Sequence, residues 1–186
     1  MPFKETFIAG LVLFEPKVFE DSRGYFFESY NKEIFAAEGL VYNWVQDNES
    51  YSGFGVIRGL HFQNPPASQA KLIRVLEGKI YDVAVDIRKG SPTFGKWFGV
   101  EISSENKLQL LIPKGFAHGF SVLSEKAKVL YKCDNLYDRN AEAGIMYNDD
   151  DLNIDWKIPA DKRVLSDKDL NHPSLKGCNT QFVFEE

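Results

Sequence analysis

Apolar and polar residues alternate along most of this chain with a period of two, and a turn signal interrupts the alternation about every ten residues. Such a pattern is typical of half-buried β-strands, which place one face in a core and the other outside it. The clearest segments, Leu72–Leu76 and Lys79–Ile87, are separated by Glu77-Gly78 and therefore predict a hairpin. Many short strands at this spacing predict an all-β sandwich or barrel.

The same signals predict the remaining elements. One short helix is expected at Lys32–Glu38. The further strands are expected at Gly10–Phe14, Gly24–Tyr30, Trp44–Ser50, Gly59–Gln63, Lys96–Ser103, Lys107–Ile112, His118–Leu123 and Ala127–Asp134. A length of 186 residues, at roughly 150 residues per domain, predicts one domain spanning residues 1–186. We expect its core at 42–134, followed by an irregular segment with short helical turns at 135–186.

Charge and cysteine content narrow the functional classes. Lysine and arginine number 22 against 27 acidic residues, and a net charge of −5 argues against a nucleic-acid binder, which needs a basic face. The apolar run Phe7–Phe14 is too short to span a membrane and lacks a cleavage site. Cys133 and Cys178 match no zinc or redox spacing, so we expect free thiols in a reducing compartment. These observations predict a cytoplasmic protein with no membrane or nucleic-acid partner.

Several predicted strands carry polar residues on a face that could be concave. Trp44, Gln46, Asn48 and Ser50 share one face of their strand, because side chains alternate along a strand. Further polar or aromatic alignments are Phe26 with Glu28 and Tyr30, His61 with Gln63, Lys71 with Ile73 and Val75, and Tyr131 with Val129 and Cys133. These faces could line the mouth of a barrel with hydrogen-bonding groups, or they could simply meet water. The pattern alone leaves both interpretations open.

The sequence predicts no metal site. Metal-dependent cupin barrels typically carry H-x-H, a nearby glutamate and a later histidine, whereas His61 is followed by Phe62-Gln63 and the other histidines are His118 and His172. The acidic run Asp149–Asp151 lacks the glycine and distal glutamate of a calcium loop and is predicted to be a solvated turn.

Seven motifs occur in an order that is specific to one family. They are Arg58-Gly-Leu-His-Phe-Gln63, Lys71-Leu-Ile-Arg-Val75, Asp82-Val-Ala-Val-Asp-Ile-Arg88, Ser91-Pro-Thr-Phe-Gly95, Ile112-Pro-Lys-Gly-Phe-Ala-His-Gly-Phe120, Tyr131-Lys-Cys133 and Leu165-Ser-Asp-Lys-Asp169. The chain resembles the dTDP-4-dehydrorhamnose 3,5-epimerases from about Gly10 to Leu175. This resemblance implies a cupin-like jelly roll or β-barrel that acts as a homodimer without metal or organic cofactor.

The resemblance also implies a reaction. The family converts dTDP-4-dehydro-6-deoxy-D-glucose to dTDP-4-dehydro-L-rhamnose by removing and returning protons beside the C4 ketone. His61 matches the base, and Asp169 the carboxylate that orients it, with Asp167 as the alternative acid. Tyr131 matches the proton donor on the opposite face of the sugar, and Lys71 the group at the enolate oxygen.

The implied substrate-binding residues fall into two groups. Arg23, Phe26 and Glu28 match positions that bind the nucleotide, contributed across the dimer. The positions around the diphosphate, sugar and thymine are Gln46, Asn48, Arg58, Lys71, His118, Tyr137 and Lys168. Departures from the family pattern are few: Ala70 replaces a common glycine and Phe62 a common tyrosine. Residues 178–186 lie outside the resemblance.

Three alternatives compete with the double epimerase. One is a relative that epimerises only C3 or only C5, since one base can serve both carbons. Another is a non-catalytic cupin that binds a sugar nucleotide; it would keep Arg23, Arg58 and Lys71 but would not need the His61–Asp169 pair or Tyr131. The third is a metal-dependent cupin enzyme, which the missing H-x-H motif disfavours.

Overall fold

The computed structural model describes residues 2–185 and confirms an all-β fold with only a few short helices. Its single α-helix in that range, α1, spans Lys32–Ala37, and no helix there has the length and apolar character needed to cross a membrane. The strands are β1 Phe3–Glu5, β2 Val12–Phe14, β3 Phe19–Asp21, β4 Gly24–Phe26, β5 Gln46–Gly53, β6 Ile57–Gln63, β7 Lys71–Glu77, β8 Lys79–Asp86, β9 Trp97–Ser103, β10 Gln109–Ile112, β11 Phe116–Val122, β12 Lys126–Cys133 and β13 Glu142–Gly144. Two 3₁₀ turns lie at Ala160–Lys162 and Asp169–Asn171.

The strands form two large antiparallel sheets that pack face to face. A six-stranded sheet has the order β1-β2-β10-β7-β12-β5, and a five-stranded sheet has the order β13-β6-β11-β8-β9. The inner faces of both sheets share one apolar core, in which Ile73 and Val75 of the first sheet meet Ile80 and Ala84 of the second. The strands β3 and β4 form a separate two-stranded ribbon.

The predicted hairpin between Leu72–Leu76 and Lys79–Ile87 is wrong. The two segments are strands, but β7 pairs with β10 and β12, whereas β8 pairs with β11 and β9 in the other sheet. The chain turns between sheets at Gly78, where φ is +75° and a Cβ atom would lie 2.0 Å from the Lys126 carbonyl oxygen. The alternation of apolar and polar residues indicates which face of a strand is buried, but it does not indicate which strands are hydrogen-bonded to each other. Two consecutive strands that pack face to face in different sheets therefore show the same sequence pattern as a hairpin.

Three other expectations need correction. The strand predicted at Gly24–Tyr30 ends at Phe26, because Tyr30 packs instead against Phe35 and Trp44 beside α1. The strand β13 lies within the segment expected to be irregular, and β1 and β3 were not predicted; three residues are too few to show a period. Asp149 is buried rather than solvated, since its carboxylate accepts backbone N–H groups from within and beyond its own turn.

Two further apolar layers cover the outer faces of the sheets. Residues from 145 to 182, including Ile145, Leu152 and Trp156, pack on Val83 and Val85 of the five-stranded sheet. The aromatic side chains around α1 cover the six-stranded sheet. The C-terminal segment is therefore held against one sheet, which brings its polar residues to the open end of the sandwich.

The inner face of the sandwich changes from apolar to polar toward one end. On β7, Lys71 lies two positions before the core residue Ile73. On β12, Tyr131 lies two positions after the core residue Val129. On β11 the corresponding position is His118. Because side chains two residues apart share a face, these polar groups point into the same space as the core. Lys71 and Tyr131 lie beyond its end, and His118 lies between the core residues Phe116 and Phe120. The same strands thus contribute residues to both the core and the pocket.

Candidate active site

A pocket opens between the two sheets at this polar end. Its polar and aromatic lining comprises Asn48, Glu49, Ser50, Arg58, His61, Phe62, Gln63, Gln69, Lys71, His118, Phe120, Tyr131, Tyr137 and Glu142. The predicted residues Asn48, Arg58, His61, Lys71, His118, Tyr131 and Tyr137 are thus brought together. The pocket-lining interpretation therefore holds for the faces that carry Asn48, His61, Lys71 and Tyr131, but not for the face with Phe26, Glu28 and Tyr30. Cys133 also lines the pocket, and both cysteines are free, as expected.

His61 and Asp169 form a close pair, although they are 108 positions apart. His61 lies on β6 and Asp169 begins a 3₁₀ turn of the C-terminal segment; His61 Nε2 and Asp169 Oδ1 are 2.5 Å apart. The Ser166 hydroxyl donates to Asp169 Oδ2 at 3.0 Å, so both carboxylate oxygens are engaged. Asp167 is exposed, and Asp169 is the acid that contacts the imidazole.

The protonation state of this pair follows from its surroundings. Burial alone would raise the pKa of Asp169, but the hydrogen bond and charge of His61 and the hydroxyl of Ser166 outweigh it, so the pKa is lowered. The carboxylate is therefore ionised at neutral pH and accepts the Nε2 proton of His61. The other nitrogen, Nδ1, then carries a lone pair, which is the arrangement of a histidine oriented to act as a base.

Two glycines allow the strands that carry the histidines to approach closely. A Cβ atom on Gly59 would lie 2.5 Å from the Gly119 Cα atom, and φ of Gly59 is +129°, which disfavours other residues. This contact joins β6 to β11, on which His61 and His118 are direct cross-strand neighbours. The two imidazoles consequently enter the pocket side by side.

His118 forms a second histidine–carboxylate pair, deeper than the first. Its Nε2 atom lies 2.7 Å from Asp82 Oδ1, and both residues are buried. Burial lowers the pKa of His118, the carboxylate of Asp82 opposes that shift, and the ammonium of Lys71 adds to it; the net direction is downward. His118 is therefore a neutral hydrogen-bonding group at pH 7. Asp82 Oδ2 is buried without a hydrogen-bond partner.

The opposite sheet contributes a phenol and an amine. Burial raises the pKa of Tyr131, partly offset by a hydrogen bond with Ser50 (Oη to Oγ, 2.9 Å), so the phenol holds its proton at neutral pH. The Tyr131 ring lies 6.2 Å from the His118 ring across the pocket. Burial lowers the pKa of Lys71, against the charges of Cys133, Asp82 and Glu142. The pocket thus has the Asp169-bound imidazole of His61 on one sheet and a protonated phenol on the other.

Two predicted residues lie at the pocket edge. Gln46 accepts the backbone N–H of Tyr137 at 3.0 Å and donates to Asn48 Oδ1 at 2.9 Å, which fixes the rim of the pocket. Lys168 forms an ion pair with Glu142, a lining residue. Arg58 is held by Ser52, to whose hydroxyl its Nε atom donates at 3.0 Å.

The structure does not bring Arg23, Phe26 and Glu28 to this pocket. Arg23 lies on the β3–β4 ribbon, where its side chain is 87% exposed and pairs with Asp21. Phe26, on the same ribbon, is 70% exposed, and Glu28 accepts a hydrogen bond from Asn31.

Sequence reasoning gave no role to three residues of the site, although it had placed Ser50 on a polar strand face and Asp82 in a family motif. Ser50 holds Tyr131, Asp82 holds His118, and Glu142 joins Tyr137 and Lys168 at the rim. A signal existed for Asp82, since an acid on the inward face of an otherwise apolar strand needs a buried partner. Glu142 lies in a short strand with no readable pattern.

The fold and the pocket define a cupin-like β-sandwich protein with acid–base side chains enclosed between its sheets. The family model of dTDP-4-dehydrorhamnose 3,5-epimerase matches residues 5–177. The chain belongs to this family.

Individual relatives agree. A Shigella flexneri protein named dTDP-4-dehydrorhamnose 3,5-epimerase is 54% identical over 168 residues, which cover 90% of this chain and 92% of the relative. The crystal structure of the Elizabethkingia anophelis enzyme of that name is similar with a TM-score of 0.90 at 52% identity, covering 94% of this chain and 96% of the other. A Legionella pneumophila 3,5-epimerase, solved in complex with dTDP-4-keto-L-rhamnose, has a TM-score of 0.90 at 47% identity, with 94% and 93% covered.

The burial of His118 predicts a measurable titration. Because its pKa is lowered in the folded chain, the unfolded chain binds more protons below about pH 6.5, and the free energy of unfolding falls as the pH drops through this range. The chain has three histidines, so imidazole proton NMR can resolve each one, with His118→Gln assigning the signal. We expect a His118 midpoint below 6.5; a midpoint at or above 6.5 would contradict the burial argument.

Proposed function

We propose that this chain converts dTDP-4-dehydro-6-deoxy-D-glucose to dTDP-4-dehydro-L-rhamnose by epimerisation at C3 and C5. The observation that carries the proposal is the placement of the His61–Asp169 pair and the Ser50-bound Tyr131 on opposite sheets of one pocket. A ring bound between them has its two faces exposed to a base and to an acid. Epimerisation needs this arrangement, because the proton leaves one face and a proton arrives at the other.

The proposed step begins with proton transfer to His61. Nδ1 of His61 takes the proton from the carbon beside the C4 ketone, and the electron pair of the broken C–H bond forms an enolate. Asp169 stabilises the resulting imidazolium, as carboxylates do for catalytic histidines. An acid–base group of this kind contributes about 10²–10⁴-fold to the rate.

Lys71 is proposed to stabilise the enolate oxygen, because an ammonium in a buried pocket favours developing negative charge. Tyr131 then gives its hydroxyl proton to the opposite face of the carbon. His61 must lose its proton and Tyr131 regain one before the second carbon reacts. Exchange with water accomplishes both, so each inverted carbon carries a proton from the solvent.

The binding roles follow from charge and position. Arg58, Lys71 and Lys168 supply positive charge at or beside the pocket of an acidic protein, which a diphosphate dianion requires. Gln46, Asn48, His118 and Tyr137 are proposed to contact the sugar and thymine.

We propose further that the protein is a cytoplasmic homodimer in which residues 1–186 act as one domain. The β3–β4 ribbon exposes Phe19, Tyr25 and Phe26, a concentration of aromatic surface that a second subunit would cover. In this arrangement Arg23, Phe26 and Glu28 complete the nucleotide site of the other subunit. This accounts for their distance from the pocket of their own chain.

Two alternative functions predict a different exchange of the sugar protons with solvent than the double epimerase does. An epimerase acting at one carbon would exchange only one sugar proton with solvent. A non-catalytic module would bind the keto sugar and exchange none; the oriented base and protonated donor in the pocket argue against it.

Proton NMR in D₂O distinguishes these reactions. We expect the wild type to lose the H3 and H5 signals of the keto sugar, and His61→Ala to slow both losses at least about 100-fold because it lacks the base. Tyr131→Phe keeps its volume and loses only the donor. It should still exchange protons through His61 on one face while forming little L-rhamno product.

The outcomes that contradict the proposal are specific. Loss of only one signal in the wild type would indicate a single-carbon epimerase. Loss of neither signal, with binding of the sugar nucleotide demonstrated, would favour the non-catalytic module. Exchange in His61→Ala at the wild-type rate would remove His61 from the role of base.

The dimer proposal predicts complementation between two impaired variants. Arg23→Ala and His61→Ala chains, each assayed alone at a low substrate concentration, should show little activity. Mixed dimers formed by co-expression have one site with both residues intact if Arg23 acts across the interface. Random pairing then restores about one quarter of the wild-type activity. Mixed dimers without any recovery would show that Arg23 does not act in the other subunit's site.

A further inference from the structure

His172 lies beside the His61–Asp169 pair, and the proposed reaction does not use it. Its Nε2 atom is 3.7 Å from Asp169 Oδ1, and its ring lies at a centroid distance of 5.5 Å from the ring of His61. The ring packs on β13, where Gly144 leaves room for it: a Cβ atom there would lie 2.5 Å from the imidazole. The structure therefore holds this side chain in a fixed position.

The Nε2 atom of His172 is buried and has no hydrogen-bond partner in the described structure. Buried polar atoms are normally satisfied, so an unsatisfied nitrogen facing a carboxylate and a second imidazole needs an explanation. Two imidazole nitrogens and one carboxylate oxygen are a ligand set typical of zinc sites with an open position.

The three atoms, His61 Nε2, Asp169 Oδ1 and His172 Nε2, lie within 4.8 Å of one another. Zinc bonds of about 2.0–2.1 Å in a tetrahedron place neighbouring ligand atoms roughly 3.3 Å apart. The His172–Asp169 separation of 3.7 Å is close to this value, whereas the His61–Asp169 separation of 2.5 Å must widen by roughly 0.8 Å. The His61–His172 separation, at most 4.8 Å, must close toward the same value, so the side chains shift when the ion binds.

The surroundings of the three side chains leave access from solvent and leave the negative charge of Asp169 free of a lysine or arginine partner among the described residues. A cleft lined by Val164, Leu165 and Ser166 runs along Asp169 and His61, from which a water molecule could fill the fourth position. The cations lining this cleft are Lys168, whose ammonium is engaged by the carboxylate of Glu142, and Arg58, whose Nε atom donates to Ser52; neither forms an ion pair with Asp169. The charge of Asp169 is therefore available to a metal ion.

We propose that His61, Asp169 and His172 form an inhibitory site for Zn²⁺ or a similar divalent transition-metal ion. The proposal rests on the proposed function, because the ion would occupy the nitrogen through which Asp169 orients the base. Zinc bonded to His61 Nε2 replaces the proton there, and that proton moves to Nδ1. The Nδ1 lone pair is then lost, so metal binding and proton abstraction exclude each other.

The test separates metal binding from turnover. Untagged protein is treated with chelator, kept in a non-thiol reductant and titrated with Co²⁺ without substrate, where visible absorption reports coordination; Zn²⁺ then displaces the Co²⁺. The same samples are assayed for solvent exchange at C3 and C5 with increasing Zn²⁺. The variants are His172→Gln, which removes one proposed ligand, and Cys178→Ser, which removes a possible metal donor outside the cluster.

We expect the wild type and Cys178→Ser to bind one equivalent of metal and to lose exchange activity in parallel, with recovery on adding chelator. His172→Gln should retain activity without metal, and its metal affinity and zinc inhibition should weaken at least about tenfold, because a direct ligand matters no less than an outer-shell partner. His172→Asn serves as a second variant if thermal unfolding shows that His172→Gln is misfolded.

Equal metal affinity and inhibition in His172→Gln and the wild type would overturn the proposal, as would a wild type that neither binds Co²⁺ nor responds to Zn²⁺. A protein that coordinates metal through His172 but exchanges no sugar protons would retain the metal site and refute the proposed function. An active protein whose exchange rate does not respond to zinc would support the proposed function and refute the metal site.

Discussion

The short hydrogen bond between His61 and Asp169 is the contact on which the proposed chemistry depends. It joins a strand near the middle of the chain to a 3₁₀ turn near its end, and it requires the C-terminal segment to pack over the five-stranded sheet. Because the pKa of the carboxylate is lowered, the bond fixes the imidazole proton on Nε2 and leaves Nδ1 basic. The large apolar layer around Trp156 thus holds the C-terminal segment in the position from which Asp169 orients the His61 ring.

The second requirement is that the base and the acid face each other. Two antiparallel sheets packed face to face meet this requirement, because the inward-facing positions of their strands carry apolar residues in the core and polar residues in the pocket. His61 and His118 extend the inner face of one sheet, and Lys71 and Tyr131 that of the other. His118 is held by Asp82 and Tyr131 by Ser50, and burial keeps His118 neutral and the Tyr131 phenol protonated at neutral pH.

Alternation in the sequence predicted the fold class and most strands, since burial of one face leaves a period of two. It did not predict which strands pair, so the turn at Gly78 was interpreted as a hairpin. His61, His118 and Tyr131 could be located on strands from the pattern, but only the family resemblance linked Asp169 to His61, because no local signal joins residues 108 positions apart. Arg23 and Phe26 lie away from the pocket of their own chain, so their role depends on the proposed second subunit, which the pattern of one chain does not show.

Replacement of Asp169 tests the central claim most directly. Asp169→Asn keeps the size of the side chain but removes its charge and favours the wrong tautomer of His61, whereas Asp167→Asn makes the same change on an exposed neighbour. Exchange of the sugar C3 and C5 protons in D₂O should slow at least about 100-fold in Asp169→Asn and remain near the wild-type rate in Asp167→Asn. Wild-type exchange in a folded Asp169→Asn, or equal losses in both variants, would contradict the account.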